Sequence, residues 1–324
     1  TTLADRISSL DNVVFQHKLG SIGEKTNRVS ALSTQLAEQL GFDATMAERA
    51  AQLSKTDLVT DMVGEFASLQ GVIGRYYANE NDEAAEVASA LEEQYLPKHS
   101  GGALPTTQTG KVLALSDKLD TVVGIFSVGL LPTGDKDPFA LRRASLGALR
   151  IIIENELTLD LNTLISLSSE QFSHTFDTNE TNLAVFNFMI DRLKGYALSK
   201  GYTAEQFAAV ASVGSSEPVD FMSRLDAVKR FALMDEAASL GEANKRIQNL
   251  LKKAPDNIAS QFDAALLNDT QEIELHKQLQ SIENKVSPLI AQHDYIEALK
   301  QLSALKEPID AFFEHVFIMA DDKK

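Results

Sequence analysis

The sequence predicts an all-α protein of two domains. Apolar residues recur at helical spacing in nearly every long segment, while alternating, strand-like runs are scarce. Gly, Pro and Ser gather in discrete clusters between those segments, where turns and helix caps need them. At 324 residues the chain is long for a single core, so two domains are the default.

Val29, Leu32, Leu36 and Leu40 share one helical face, and Gly41 is a natural stop after it. The acidic run "NENDEAAEVASALEEQ" at 79–94 reads as a solvated helix face. "LPKHSGGALPTTQTG" at 96–110 is a loop, and Val112, Leu115, Leu119, Val122, Val123 and Phe126 form the next apolar stripe. Asp137 followed by Pro138 reads as the N-cap and first position of a helix running through "FALRRASLGALRIIIE". The period weakens over 157–181, which is rich in Ser and Thr. That places a linker at 166–180, between a first domain at 1–165 and a second at 181–324. In the second domain Thr203 and Gln206 suit a capping box, and "VGSSEPVD" at 213–220 is a turn. Ile309, Phe312, Phe313, Val316 and Phe317 give a broad apolar face near the end.

Composition narrows the function. Hydrophobic content of 44% and charged content of 23% are those of an ordinary globular chain. No apolar run approaches twenty residues, so no membrane span is expected, and the N-terminus lacks the basic and apolar regions of a signal peptide. The chain also lacks an initiator Met and ends abruptly at "MADDKK", as an excised fragment would. The absence of cysteine excludes disulfides, thiolate metal sites and Cys nucleophiles, and suits the cytoplasm. A net charge of −16 argues against a generic nucleic-acid coat but leaves room for a local basic face, and DNA is not expected as a partner.

Catalytic motifs are missing. There is no GxxxxGK[ST] loop, no GxSxG elbow and no paired-acid site. The six histidines are scattered without HxxH or HxxxH spacing. No catalytic residue is therefore assigned.

One stretch does resemble a known site. "QLSKTDLVTDMVGEF" at 52–66 is similar to the helix that carries the His-Asp metal pair of HD-type phosphohydrolases. "EKTNRVSALSTQLA" (24–37) resembles the first helix of that fold and "LALSDKLD" (113–120) the last. Lys25 and Thr56 stand where the two histidines would be, while Asp57 and Asp117 remain. Two carboxylates and an ammonium make a poor divalent-metal site, so no metal is expected. Lys25 is expected to lie between Asp57 and Asp117 as the positive charge that replaces the ion, with Thr56 as a hydrogen-bond partner.

The match widens to a more specific one. "LSKTDLVTDMVGEFASLQGVIGRYYA" (53–78), "GDKDPFALRRASLGALRIIIE" (134–154) and "DAVKRFALMDEAASLGEANKRIQNLLKKA" (226–254) together resemble the β subunit of bacterial glycyl-tRNA synthetase, over its C-terminal half. The resemblance implies a degenerate HD-like helical domain followed by a helical-bundle anticodon-binding domain similar to that of arginyl-tRNA synthetase. It implies tRNA-Gly and the α subunit as partners. ATP and Mg would belong to the α subunit, with no cofactor in this chain. The chain would be part of a glycine–tRNA ligase yet inactive alone.

Two basic surfaces can be read beside that resemblance. On an ideal helix Ala243, Ile247, Leu250, Leu251 and Ala254 share one side, and Lys245, Arg246, Asn249, Lys252 and Lys253 cover the opposite and flanking side. Such a stripe can track a phosphate backbone while Asn244 or Asn249 reads an unpaired base, or it can be an ordinary solvated face. In "ALRRASLGALR", Arg142, Arg143 and Arg150 either contact phosphate, with Gly147 baring the backbone between them, or bridge to the chain's many acids. An active HD-type metal phosphohydrolase and a helical protein-binding scaffold are the competing readings.

Overall fold

The computed structural model describes residues 1–134, 136–252 and 264–316. Among these the chain is helical, apart from one small hairpin of strands β1 (Val14–Gln16) and β2 (Gly20–Ser21), paired antiparallel. None of the described helices is long and apolar enough to cross a membrane.

The first unit begins with a 3₁₀ segment, Ala4–Asn12, ahead of the hairpin. Helix α1 (Ile22–Leu40) starts at a capping box: Glu24 N–H donates to Ser21 Oγ at 3.1 Å, and Ser21 N–H donates to Glu24 Oε2 at 2.7 Å. It ends at Gly41, whose φ of 69° is the left-handed conformation glycine adopts without penalty. Then come α2 (Ala44–Leu53), a 3₁₀ turn at Thr56–Val59, α3 (Asp61–Glu65), α4 (Val72–Glu80) and α5 (Ala85–Glu93). After the loop, α6 (Gln108–Ser127), α7 (Leu141–Glu154), α8 (Leu161–Ser169) and α9 (Thr178–Ser199) complete the unit.

Helix α6 is the centre of this unit, packed by α1, α2, α5, α7, α8 and α9. The apolar stripe from Val112 to Phe126 is buried as expected, but so are Ser116, Lys118 and Asp120 on its other sides. A helix enclosed all round must find partners for every polar residue it carries. That requirement builds the site described below.

Two boundaries differ from the sequence reading. Asp137 does cap α7, accepting from Leu141 N–H at 2.8 Å and Arg142 N–H at 2.9 Å, but the helix begins at Leu141 rather than at Pro138. The 166–180 stretch is no linker. Leu161, Leu164 and Ile165 of α8 are fully buried, and α9 packs on α6, α7 and α8. The Ser- and Thr-rich composition there reflects a short helix and two capped starts, with Asp160 and Asp177 accepting from backbone N–H groups.

The compact units are Thr1–Ala204 with Gly214–Val219, and Glu205–Val213 with Asp220–Lys324. The second contains all but the first residues of α10 (Ala204–Ala211) and α11 (Pro218–Phe231), with α12 (Asp235–Leu251), α13 (Thr270–Ala291), α14 (Tyr295–Ser303) and α15 (Lys306–His315). Ala243 of α12, Ile282 and Val286 of α13, Ala298 of α14, and Ile309 of α15 form its small core. Phe207 and Phe221 pack against each other, tilted, at 4.9 Å between ring centroids, and both are buried. Phe317, expected on the apolar face of the last helix, lies outside the described residues.

Candidate functional site

Lys25 enters the first unit from the opening turn of α1 and meets α6. Its Nζ lies 3.3 Å from Asp117 Oδ1 and 2.9 Å from Asp120 Oδ2, and donates to Thr121 Oγ1 at 2.8 Å. Arg28, one turn on, closes the far side of Asp120, with Nε 2.6 Å from Oδ1. The expected Lys25–Asp117 pairing is present.

The expected Lys25–Asp57 pairing is not among the contacts of the described residues. Asp57 sits at the end of a different segment, because "LSKTDL" is the tail of α2 and a 3₁₀ turn rather than the body of a helix. There its Oδ2 accepts from Gly71 N–H at 2.6 Å and anchors the start of α4. Gly74 lets α4 approach, since a Cβ there would stand 3.1 Å from the same oxygen. Burial pushes the Asp57 carboxyl above its ordinary range, opposed by the Gly71 N–H and the Lys55 charge. The Thr56 hydroxyl donates to the Leu53 carbonyl at 2.7 Å, closing α2, and takes no part in the carboxylate cluster.

Two lysines that the sequence reading passed over complete the cluster. Lys55 Nζ lies 3.2 Å from Asp117 Oδ1 and 4.5 Å from the centre of the Tyr95 ring. Lys118 Nζ donates to the Gln94 carbonyl at 3.1 Å. Burial would raise the Asp117 carboxyl, but Lys25, Lys55 and Lys118 hold it well below the usual carboxylate range. Burial lowers the Lys118 ammonium from 10.5 to about 8; Asp117 opposes the fall and Lys55 and Lys25 add to it. Asp120, three residues after Asp117, was legible as a second acid on the same side of α6. Lys55, next to Thr56 in the HD-like stretch, carried no such signal.

Among the described residues no three His, Cys, Asp or Glu side chains are grouped to share a metal ion. Lys25 and Thr56 stand at the two histidine positions of an HD-type site, and the Lys25 and Lys55 ammoniums occupy the Asp117 carboxylate, so this donor set does not fit a divalent metal.

The arginines of α7 divide. Arg143 is exposed. Arg142 is half-buried and donates to the Gly134 carbonyl at 2.5 Å. Arg150 is only 8% exposed and is fully engaged. It forms a two-pronged pair with Glu154, Nε to Oε1 at 2.7 Å and Nη2 to Oε2 at 3.1 Å, and donates from Nη1 to the Gly102 carbonyl at 3.0 Å. The 96–110 loop folds over the end of α7 and takes Arg150 out of reach of a phosphate. Gly147 has a related explanation. A Cβ there would stand 2.9 Å from Lys118 Cε, so the glycine makes room for Lys118 rather than for a ligand.

On α12 the stripe is open. Asn244, Lys245, Arg246, Asn249 and Lys252 are all exposed, while Ala243 is buried and Ile247 and Leu250 are partly so. Arg246 Nη1 reaches Asp310 of α15 at 3.0 Å, an exposed pair of the kind that contributes little and yields readily to a stronger anion. Leu251 is half exposed, outside the apolar side expected of it. Lys253 and Ala254 lie outside the described residues.

Sequence comparison now places these features. The model of the glycyl-tRNA synthetase β subunit family matches residues 1–212, and that of the DALR anticodon binding domain matches residues 240–324. The chain belongs to the glycyl-tRNA synthetase β subunit family. It is 45% identical over 321 residues to the glycine–tRNA ligase β subunit of Janthinobacterium sp. (strain Marseille), covering 99% of this chain and 46% of the relative. It is 46% identical over 323 residues to that of Marinobacter nauticus, again covering 99% and 46%. The chain thus spans about half the length of the curated relatives it matches. The exposed stripe of α12 falls inside the anticodon-binding match, and the lysine–carboxylate cluster falls inside the β subunit match.

Proposed function

We propose that the chain is a tRNA-binding part of a glycine–tRNA ligase β subunit, which presents tRNA-Gly to a catalytic α subunit in the cytoplasm. The observation that carries this reading is the exposed run of Lys245, Asn249 and Lys252 along α12, within the DALR match. Residues spaced i, i+4 and i+7 follow one side of a helix for two turns. Two ammoniums on that line reach two phosphates of one backbone, and the Asn249 amide between them offers both a donor and an acceptor to an unpaired base edge. Arg246 joins them when a phosphate replaces Asp310.

The first unit acts as scaffold in this reading. Its cluster holds α1 and α6 together with ammoniums and carboxylates and supplies no activated water. Glycine activation, with ATP and Mg, falls to the α subunit, and this chain alone forms no glycyl-adenylate. The test is a filter-binding titration of tRNA-Gly with the chain at several salt concentrations. Affinity that falls steeply as salt rises supports the reading. Absence of binding together with capture of the α subunit favours a protein-binding scaffold instead.

A further inference from the structure

A cavity of about 590 Å³ opens beside Asp117, within the first unit. We propose that it is a metal-independent site for the phosphate of a nucleotide, gripped by Lys118, Arg143 and Lys98. The volume lies in the range of small-molecule sites and exceeds what a bare phosphate needs.

The charges around it point to an anion. Among the described residues Asp117 is the one carboxylate lining the cavity, and Lys25 and Lys55 already flank it at 3.3 and 3.2 Å. Lys98, Lys118 and Arg143 line the same space, and none of them forms an ion pair among the described residues. Three cations around one cavity repel each other, and Asp117, already paired with Lys25 and Lys55, offsets Lys118 only in part. A ligand with two negative charges removes that repulsion. Lys118 spends one of its three N–H donors on the Gln94 carbonyl, leaving two for a ligand. Arg143 offers a planar fork suited to phosphate oxygens. The buried Tyr95 hydroxyl lies on the same wall, with Gln70 as its polar neighbour.

The remaining lining is mixed, with Ser68, Gln70, Gln94 and Thr121 as its polar part and an apolar part beside the cations. Phe139, Pro97, Ala140 and Ala144 offer a surface for a base or ribose next to the cationic end. An amphipathic ligand with one compact anionic group fits this division better than a sulfate-like ion does. The cationic groups replace a metal in attraction but cannot activate water, so the site binds without hydrolysing.

The experiment is calorimetric titration of the 324-residue chain, in EDTA, with AMP, adenosine and inorganic phosphate. AMP should bind, phosphate more weakly, and adenosine least. Arg143→Gln, an exposed change that leaves the core intact, should weaken AMP at least about tenfold. Lys118→Gln should do the same, and Lys252→Gln on α12 should not. A short RNA with a terminal phosphate, compared with the same RNA lacking it, separates the two sources of the group. A phosphate-dependent gain that Arg143→Gln abolishes assigns the site to an RNA end; binding of AMP alone assigns it to a free nucleotide. Equal binding of AMP and adenosine, no binding of either at about 1 mM, or unchanged AMP affinity in Arg143→Gln would overturn the proposal. The Lys252→Gln arm keeps this result separate from the fate of the α12 reading.

Discussion

Lys25 Nζ lies 2.9 Å from Asp120 Oδ2, joining the first turn of α1 to the middle of α6 inside the first unit. Asp117 stands on the other side of the same ammonium at 3.3 Å. Lys25→Met should therefore leave the buried Asp120 and the partly buried Asp117 carboxylates short of a partner. Arg28 and Lys55 remain to compensate in part, so the expected loss is about 1–3 kcal/mol rather than the larger cost of an isolated buried charge. Denaturant unfolding of the first unit measures it. A variant as stable as the parent would mean that the cluster contributes nothing to holding α1 on α6.

Lys118 gives the cluster a pH dependence. Its ammonium falls from 10.5 in the unfolded chain to about 8 in the folded one. Between those values the unfolded chain binds more protons, so stability should rise as pH rises from about 8 towards 10.5. Below about 8 the folded state carries the full cost of the buried charge. The melting temperature of the parent, relative to Lys118→Met, should increase from neutral pH to pH ~10. A difference that stays flat over that window would show that Lys118 titrates as an exposed lysine.

Arg143 and Arg150 sit seven residues apart on α7, and should respond differently to removal. Arg150→Ala removes the Glu154 pair and the bonds to two carbonyls. It should cost about 1–3 kcal/mol and leave the salt dependence of RNA binding unchanged. Arg143→Ala should leave thermal stability within about 0.5 kcal/mol. Parallel thermal melts distinguish the two.

Asp220 plays the corresponding structural part in the second unit. Its carboxylate receives Arg224 Nε at 2.7 Å, meets His293 Nδ1 at 2.9 Å and accepts from the Tyr295 hydroxyl. That ties the start of α11 to the turn between α13 and α14. Burial, then the bond to Asp220, pushes the Tyr295 hydroxyl up to about 12. Asp220→Ala should destabilise this unit by about 1–3 kcal/mol, while spectrophotometric titration should find a tyrosine returned towards 10. An unshifted titration curve would mean that the Asp220–Tyr295 bond is not formed in solution.

Helix bodies are more legible in this sequence than helix ends. Periodicity identifies α1 and Gly41 because a one-sided stripe and a left-handed glycine are both local signals. It says less about α6, where buried Lys118 and Asp120 look like surface residues until α1 and the 96–110 loop cover them. The expected linker fails for the same reason: α8 is nine residues long, and its Ser-rich face is packed rather than solvated. Lys25 with Asp117 can be read from the resemblance, whereas the role of Asp57 as an anchor for α4 depends on a 3₁₀ turn that periodicity does not reveal. Arg143 and Arg150 look equivalent by spacing, and only the loop above Arg150 separates them.

If α12 meets RNA phosphates, the double variant Lys245→Gln, Lys252→Gln should reveal it in tRNA-Gly binding measured across salt. Both residues are exposed and form no ion pair among the described residues, so the fold should be untouched, as circular dichroism can verify. Binding should weaken, with a log–log salt slope shallower by about one unit for each phosphate no longer neutralised. Parental affinity with a parental slope, at normal helicity, would contradict it and leave the stripe a solvated face.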